Sequence, residues 1–341
     1  MAKEKRMKKP RDFTIDLLRS VSILLMIVMH IAPSYLQYPM FNWIWSWGQW
    51  VVPAFILCSI VVDSSNIRTL QDYLQYLWKR GSRLLIPYYL WLASYLTLMA
   101  LLGHKRITLD IILKNVMFTG GADFNWMILL FIYVALALPF LRKIVEESEK
   151  ISMAVLLLSF TISAFYLGDR SYWSGAYRLW MLVPWYGITL GILLFLKWWK
   201  QNRWGHITTF FIVNLGIFTY WYLYFSHFDI TTHTYYHKYP PDVFYVSFSL
   251  WSVILAYIIV HVFAKHIKKL PLVAHFLTFV STRSYTIFFI HILVLYSLNT
   301  VFPNKPFHYI FFSFLIFVPT LLITWSFDYL PAVKKQLFAK V

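Results

Sequence analysis

About ten apolar runs dominate the chain, and each is long enough to cross the hydrocarbon core of a membrane. The approximate spans are 13–32, 41–62, 84–102, 125–141, 151–168, 177–196, 206–225, 243–264, 284–302 and 308–328. Open sheet edges cannot face lipid, because their backbone groups would find no hydrogen-bond partner there. The pattern therefore predicts an all-α integral membrane protein, a polytopic bundle of about ten transmembrane helices.

Composition agrees with this pattern. Of the 341 residues, 60% are hydrophobic and only 13% are charged, which is too apolar for a soluble globular protein. No linker long enough to divide the chain is evident. We predict a basic N-terminus over residues 1–12, a single transmembrane domain over 13–328 and a C-terminal tail over 329–341. A shorter apolar segment, 270–280, is predicted to be an interfacial or re-entrant helix.

The basic residues alternate between the two sides of the predicted bundle. A net charge of +17 would point to nucleic acid in a soluble protein, but 23 of the 31 basic residues fall in every second loop or at the termini. These residues lie within 3–11, 68–83, 142–150, 197–203, 265–283 and 334–340. This is the positive-inside pattern, so both termini are predicted to be cytoplasmic. The positive charge then sets the orientation of the chain and binds anionic headgroups of the lipid bilayer, and no nucleic-acid partner is expected.

The first apolar run contains two ionisable residues, Arg19 and His30, eleven positions apart. Eleven residues at about 100° each return to within about 20° of the starting direction, with a rise of roughly 16 Å. Both side chains therefore lie on one face of the helix, and intramembrane ionisable groups usually face a bundle interior or a watery cavity. The alternative is that Arg19 reaches the cytoplasmic interface and His30 is solvated at the far end.

A second arginine cluster precedes the third predicted span, in KRGSRLLIPYYLW. Arg80 and Arg83 share a face if this segment is helical. Guanidinium groups can bind phosphates through two parallel hydrogen bonds, so with Arg19 they could surround a phosphorylated ligand near the cytoplasmic face. Taken alone, the cluster is also explained by the excess of basic residues that cytoplasmic loops carry.

Three further features carry candidate chemistry. His30 can act as a general base on a hydroxyl, because the pKa of histidine lies near neutrality. His291 is a second candidate, although a buried histidine is more often a hydrogen-bonded core residue. The outer segment 226–242 is rich in His and Tyr; a mobile polar loop that touches a sugar is favoured there over a metal site at His233 and His237. No metal is expected.

The sequence resembles a known family, the membrane-bound acyltransferases called acyltransferase 3, which modify cell-surface polysaccharides and related acceptors. IDLLRSVSILLMIVMH resembles the opening motif of the family with its Arg-x10-His spacing, and RGSRLLIPYY is similar to its Arg-x-x-Arg motif followed by proline. Further similar segments are 52–59, 125–141, 186–194 and 284–291. Two positions depart from the pattern: Ile60 follows Ser59 where glycine is common, and Asn125 precedes Trp126 where histidine is frequent.

The resemblance implies a role for each candidate. His30 would be the catalytic histidine, and Arg19, Arg80 and Arg83 would bind acyl-CoA, with acetyl-CoA as the expected donor. Asp16, three positions before Arg19, could orient it, or it could be a helix N-terminal charge favoured by the helix dipole. The implied reaction moves an acetyl or other short acyl group from cytoplasmic acyl-CoA to a hydroxyl of an extracytoplasmic or membrane-linked glycan.

The family also implies a multi-pass protein of the cell membrane, expected to be a bacterial plasma membrane, with polysaccharide-synthesis proteins as potential partners. Two other functions stay open. Ten spans with intramembrane charges also fit a transporter or flippase that exports a glycan or a lipid-linked intermediate, although no internal repeat supports it. A non-catalytic partner of a polysaccharide synthase is the third, but it would not need Arg19 and His30 on one face.

Overall fold

A computed structural model describes residues 11–63, 65, 67–102, 107–120, 124–167, 177–303 and 308–338. Within these residues, ten helical segments are long and apolar enough to cross a membrane, which confirms the predicted bundle. They are Phe13–Ser34, Pro39–Val62, Leu70–Leu101, Asn125–Glu147, Glu149–Leu167, Tyr177–Lys200, Trp204–His227, Val243–Ile267, Ser284–Val301 and Tyr309–Phe327. The orientation of the termini stays a prediction.

Fourteen α-helices are described in these segments and the connections between them. In chain order they are α1 (Phe13–Ile31), α2 (Pro39–Trp47), α3 (Val51–Val62), α4 (Leu70–Leu101), α5 (Leu109–Val116), α6 (Asn125–Glu147), α7 (Glu149–Ala164), α8 (Tyr177–Trp180), α9 (Leu182–Lys200), α10 (Trp204–His227), α11 (Val243–Ile267), α12 (Pro271–Thr282), α13 (Ser284–Val301) and α14 (Tyr309–Phe338).

Helices α1, α9 and α11 form the centre of the bundle, where most of their residues are buried. Helices α4, α7, α10 and α14 lie at the periphery and bury few of their residues, as expected of helices that face lipid on one side. Helix α1 packs against α3, α11, α12 and α13. The helix that carries Arg19 and His30 is therefore surrounded by other helices.

Two predicted spans differ from the structure in a way that affects the site. The third span is helix α4, which begins at Leu70, well before the predicted start at 84, because Thr69 and Asp72 form a capping box there. Arg80 and Arg83 thus lie inside a regular helix. The second span is interrupted by a 3₁₀ turn at Gly48–Trp50 between α2 and α3. A Cβ atom on Gly48 would lie 2.8 Å from Sδ of Met29, so α1 passes close to this turn.

The predicted short helix at 270–280 is present as α12, and it packs against the start of α1. The hydroxyl of Ser20 lies 2.5 Å from the carbonyl oxygen of Leu277, which it can reach as a hydrogen-bond donor. The hydroxyl of Ser281 donates to the carboxylate of Asp16 at 2.7 Å. Helix α12 therefore fixes the end of α1 that carries Arg19.

Candidate active site

The structure brings the two candidate histidines together. His30 on α1 and His291 on α13 are 261 positions apart, yet Nδ1 of His30 lies 2.8 Å from Nε2 of His291. Their rings are stacked, with centroids 5.0 Å apart and an angle of 14° between the planes. Phe124 packs edge-on against His30 at 5.1 Å. The general-base role of His30 stays a proposal, but its partner is now identified.

The hydrogen bonds of this pair define which nitrogen carries each proton. Nδ1 of His291 lies 3.0 Å from the carbonyl oxygen of Ile287, which only accepts, so this nitrogen is the donor. In a neutral ring the lone pair is then on Nε2 of His291, which accepts from Nδ1–H of His30. The lone pair of His30 is consequently on its own Nε2. The ring is held in the tautomer that a general base requires.

The three candidate arginines line one cavity of about 430 Å³, here called the arginine chamber. Arg19 reaches it from α1, and Arg80 and Arg83 reach it from α4. Their predicted convergence is therefore observed, while the phosphate role stays a proposal. The guanidinium of Arg80 also donates to the hydroxyl of Ser59 at 3.1 Å. Ser59, which precedes the unusual Ile60 on α3, therefore contributes to this chamber.

A carboxylate that sequence reasoning missed adjoins the arginine chamber. Asp63, just after α3, is paired with Arg80 at 3.2 Å and with Arg142 of α6 at 3.3 Å. Its side chain is only 7% exposed. An acidic residue at the predicted cytoplasmic end of a span was the available signal, but its partners lie 17 and 79 positions away on other helices. Asp63 holds the position of Arg80 and partly neutralises it.

The expected contact between Asp16 and Arg19 is replaced by others. The carboxylate of Asp16 is paired with Arg11 and accepts from Arg11 Nη2 at 2.8 Å and from Ser281 at 2.7 Å. Among the ion pairs of the described residues, none joins Asp16 to Arg19. The hydrogen bond with Asp16 raises the pKa of Arg11. Asp16 therefore connects α1 both to Arg11, just before the helix, and to α12.

A second cavity, of about 300 Å³, lies on the other side of the bundle interior and is here called the histidine chamber. Its polar and aromatic lining consists of His30, Trp45, Gln49, Phe124, Trp126, Tyr235, Lys238, Tyr239 and Phe288. Three side chains, Met26, Met127 and Phe288, line both chambers. These three residues therefore separate the arginines from the histidine pair.

The outer segment is hydrogen-bonded to the helical bundle. His233 lies 2.5 Å from the hydroxyl of Ser46, and Thr234 donates to the carbonyl oxygen of Ser46. His237 is bonded to Asp242 at 2.5 Å and to the carbonyl oxygen of Thr231 at 2.8 Å. His233 and His237 therefore contact different groups, and the mobility of this segment stays a prediction.

Asn125, which stands where histidine is frequent in the family, also has a structural role. Its side-chain oxygen accepts from Arg178 of α8 at 2.5 Å, and its side-chain nitrogen donates to the carbonyl oxygen of Gly120. Both side chains are buried. Asn125 therefore anchors the start of α6, which carries Trp126 and Met127 to the two chambers.

A helical bundle with an arginine chamber and a histidine chamber separated by three side chains defines a polytopic membrane protein with an internal polar site. The family model of the acyltransferase 3 domain, described as an acyltransferase domain, matches residues 12–329, so the chain belongs to that family. No curated protein and no solved structure matches the chain. The family and the ten apolar helices together make it a multi-pass membrane acyltransferase.

Proposed function

We propose that the protein transfers a short acyl group, with acetyl as the first candidate, from cytoplasmic acyl-CoA to a hydroxyl of an extracytoplasmic or membrane-linked glycan. The observation that carries this proposal is the arrangement of the two chambers, which meet at Met26, Met127 and Phe288. One chamber holds cations suited to phosphates, and the other holds a base suited to a hydroxyl. A reaction between partners from opposite sides of a membrane needs this arrangement.

In the proposed reaction the arginine chamber binds the phosphates of acyl-CoA, and the pantetheine arm passes the three separating side chains. Two of these are methionines, whose flexible side chains can repack around a narrow ligand. The rise of roughly 16 Å between Arg19 and His30 along α1 is of the order of the length of this arm. The thioester then lies beside the histidine chamber, where the acceptor enters from the other side.

His30 takes the acceptor proton on Nε2 as the hydroxyl oxygen attacks the thioester carbonyl carbon. When the tetrahedral intermediate collapses, the C–S bond breaks and the ester forms. The proton then moves from His30 to the CoA thiolate, so the base returns to its starting state. The bond from His30 Nδ1–H to Nε2 of His291 becomes charge-assisted while His30 is protonated, which stabilises the imidazolium.

The test is the acyl ester content of surface glycans in cells that carry each variant. His30→Ala should lower transfer by about 10²- to 10⁴-fold, the usual cost of removing a general base, with unchanged protein level in the membrane. His266→Ala is the matched control, because His266 is exposed at the other end of the bundle. Normal esters in the His30→Ala strain would contradict the proposal, and impaired glycan export in that strain would favour the transporter.

Two substitutions of His291 separate its positioning role from simple packing. His291→Gln keeps an acceptor near the position of Nε2, whereas His291→Leu removes it and leaves the Nδ1–H of His30 without a partner. An unsatisfied buried donor costs about 1–3 kcal/mol, so the Leu variant should transfer roughly five- to 150-fold more slowly than wild type. The Gln variant should retain more of the rate than the Leu variant at equal membrane level. Equal rates in the two variants would rule out the positioning role.

A further inference from the structure

Lys238, in the outer segment, is buried at the edge of the histidine chamber. The residue is only 5% exposed, and its Nζ donates to Oε1 of Gln49 at 2.7 Å. Three aromatic rings surround the same nitrogen: Trp126 at 5.0 Å, Tyr235 at 5.4 Å and Tyr239 at 4.9 Å from Nζ to the ring centroid. Gln49 and all three rings line the histidine chamber. The cation is therefore presented to the same cavity as His30.

The charge of Lys238 has no carboxylate partner in the part of the chain that the structure describes. Removing an ammonium group from water is costly unless it is paired, and an amide with three ring faces offsets this cost only in part. Asp242, on the same segment, is bonded to His237 instead. The histidine chamber thus contains a buried cation whose remaining N–H donors can bind an anion.

We propose that the acceptor carries a carboxylate or phosphate group, which Lys238 binds while the acceptor hydroxyl lies at Nε2 of His30. The inference rests on the proposed function and names the class of acceptor. Aromatic side chains on the chamber wall suit the faces of a sugar ring, so an acidic or phosphorylated sugar fits the lining. Lys238 is then a specificity-determining residue that aligns the acceptor by its charged group.

The protonation of Lys238 gives the proposal a second signature. Burial lowers the pKa of Lys238 to about 7, so its charge is present below this pH and is lost as pH rises above it. The other titratable groups that line the chamber are His30 on α1 and Tyr235 and Tyr239 on its own segment, and the adjacent His237 is paired with Asp242. Affinity for an anionic acceptor should therefore fall as pH rises above about 7.

The experiment measures binding to the purified full-length protein through quenching of tryptophan fluorescence, since Trp45 and Trp126 line the chamber. Three probes are compared: methyl β-D-glucoside, methyl β-D-glucuronide and methyl β-D-glucoside 6-phosphate. One charge-assisted hydrogen bond corresponds to about a ten- to 150-fold preference for an anionic probe over the neutral one. Whichever anionic probe binds more tightly identifies the carboxylate or the phosphate as the recognised group.

Lys238→Met should reduce this preference to near unity, whereas Lys268→Met, at an exposed lysine on the other side of the bundle, should keep it. Gln49→Glu tests the same point with the lysine in place. A carboxylate next to Nζ would compete with the ligand anion, so the preference should fall as it does in Lys238→Met. If Lys238 were only structural, Gln49→Glu would strengthen its attachment and change no preference. Lys238→Arg should keep the preference and remove its decline above pH 7, because arginine stays charged.

Equal binding of all three probes to the wild type, or an unchanged preference in both Lys238→Met and Gln49→Glu, would overturn the proposal. These results are distinct from a failure of the proposed function. Loss of the anion preference with normal His30-dependent acylation refutes the acceptor class alone. Anion-selective binding with no His30-dependent acylation refutes the reaction and leaves the anion site standing.

Discussion

At the scale of single residues, the site depends on pairs that connect distant helices. The bond between His30 and His291 fixes a tautomer, and the bonds from Asp63 to Arg80 and Arg142 fix the arginine chamber. Each pair joins residues that the chain places far apart. The chemistry of the site is therefore a property of the helix packing, and no single motif contains it.

The arginine chamber makes a prediction about the donor. The double variant Arg80→Gln, Arg83→Gln should weaken binding of acetyl-CoA to the purified protein, measured by isothermal titration calorimetry. Each charge-assisted hydrogen bond that is lost costs about 1.5–3 kcal/mol, or roughly ten- to 150-fold in affinity. Lys79→Gln is the control, because Lys79 is exposed on the same helix and does not line the chamber. Unchanged affinity in the double variant would show that the arginines serve topology only.

Sequence periodicity could predict part of this site, because the spacing within one helix is a local property. It placed Arg19 and His30 on one face of α1, and Arg80 with Arg83 on one face of α4. It could not find Lys238 or Asp63, since their partners are chosen by contacts between distant segments. The Asp16 contact shows the same limit. Arg19 is three positions further along the same helix, but Arg11 and Ser281 of α12 bond to the carboxylate instead.

At the scale of whole elements, composition located the helices well, because a membrane span must be long and apolar. The differences arise where other forces act. Helix α4 extends beyond its apolar stretch, since a capping box stabilises a polar first turn. The 3₁₀ turn at Gly48–Trp50 interrupts an apolar run and contains the strongly polar residue Gln49. That residue is the one that binds Lys238.

Two glycines set how closely the central helices approach one another. Gly187 and Gly191 on α9 are four positions apart, as in the small-residue stripes that allow close packing of membrane helices. A Cβ atom would lie 2.0 Å from the hydroxyl oxygen of Ser159 at Gly187, and 2.6 Å from Cδ2 of Leu250 at Gly191. Helices α7 and α11 thus pack on α9 without room for a side chain.

Gly187→Val should therefore lower the stability of the bundle by about 1–3 kcal/mol, the usual cost of overpacking a close contact. The measurement is the midpoint of thermal unfolding of the detergent-purified protein. Gly216→Val on α10 is the matched control, because no atom lies within 4 Å of the position that its Cβ would occupy. A midpoint that drops equally in both variants would assign the effect to the valine itself and not to the packing of α7 on α9.

At the scale of the whole molecule, the two chambers divide the bundle interior between its two ends. Helix α1 runs along both, with Arg19 in one chamber and His30 in the other. The basic loops and the arginine chamber belong to the end predicted to face the cytoplasm, where acyl-CoA is available. The outer segment with Lys238 closes the opposite end. Charge asymmetry on the surface and charge placement in the interior thus predict the same orientation.

This orientation can be tested with single cysteines at the two ends. Ile230 in the outer segment and Lys268 after α11 are both exposed, whereas Lys238 is buried and would report poorly. Ile230→Cys should react with a membrane-impermeant maleimide in intact cells, and Lys268→Cys should react only after the membrane is opened. The wild-type protein is the unlabelled control, because its single cysteine, Cys58, is buried. The reverse result would place the arginine chamber outside. Acyl-CoA from the cytoplasm could then not reach the arginines, and the proposed direction of transfer would fail with the topology.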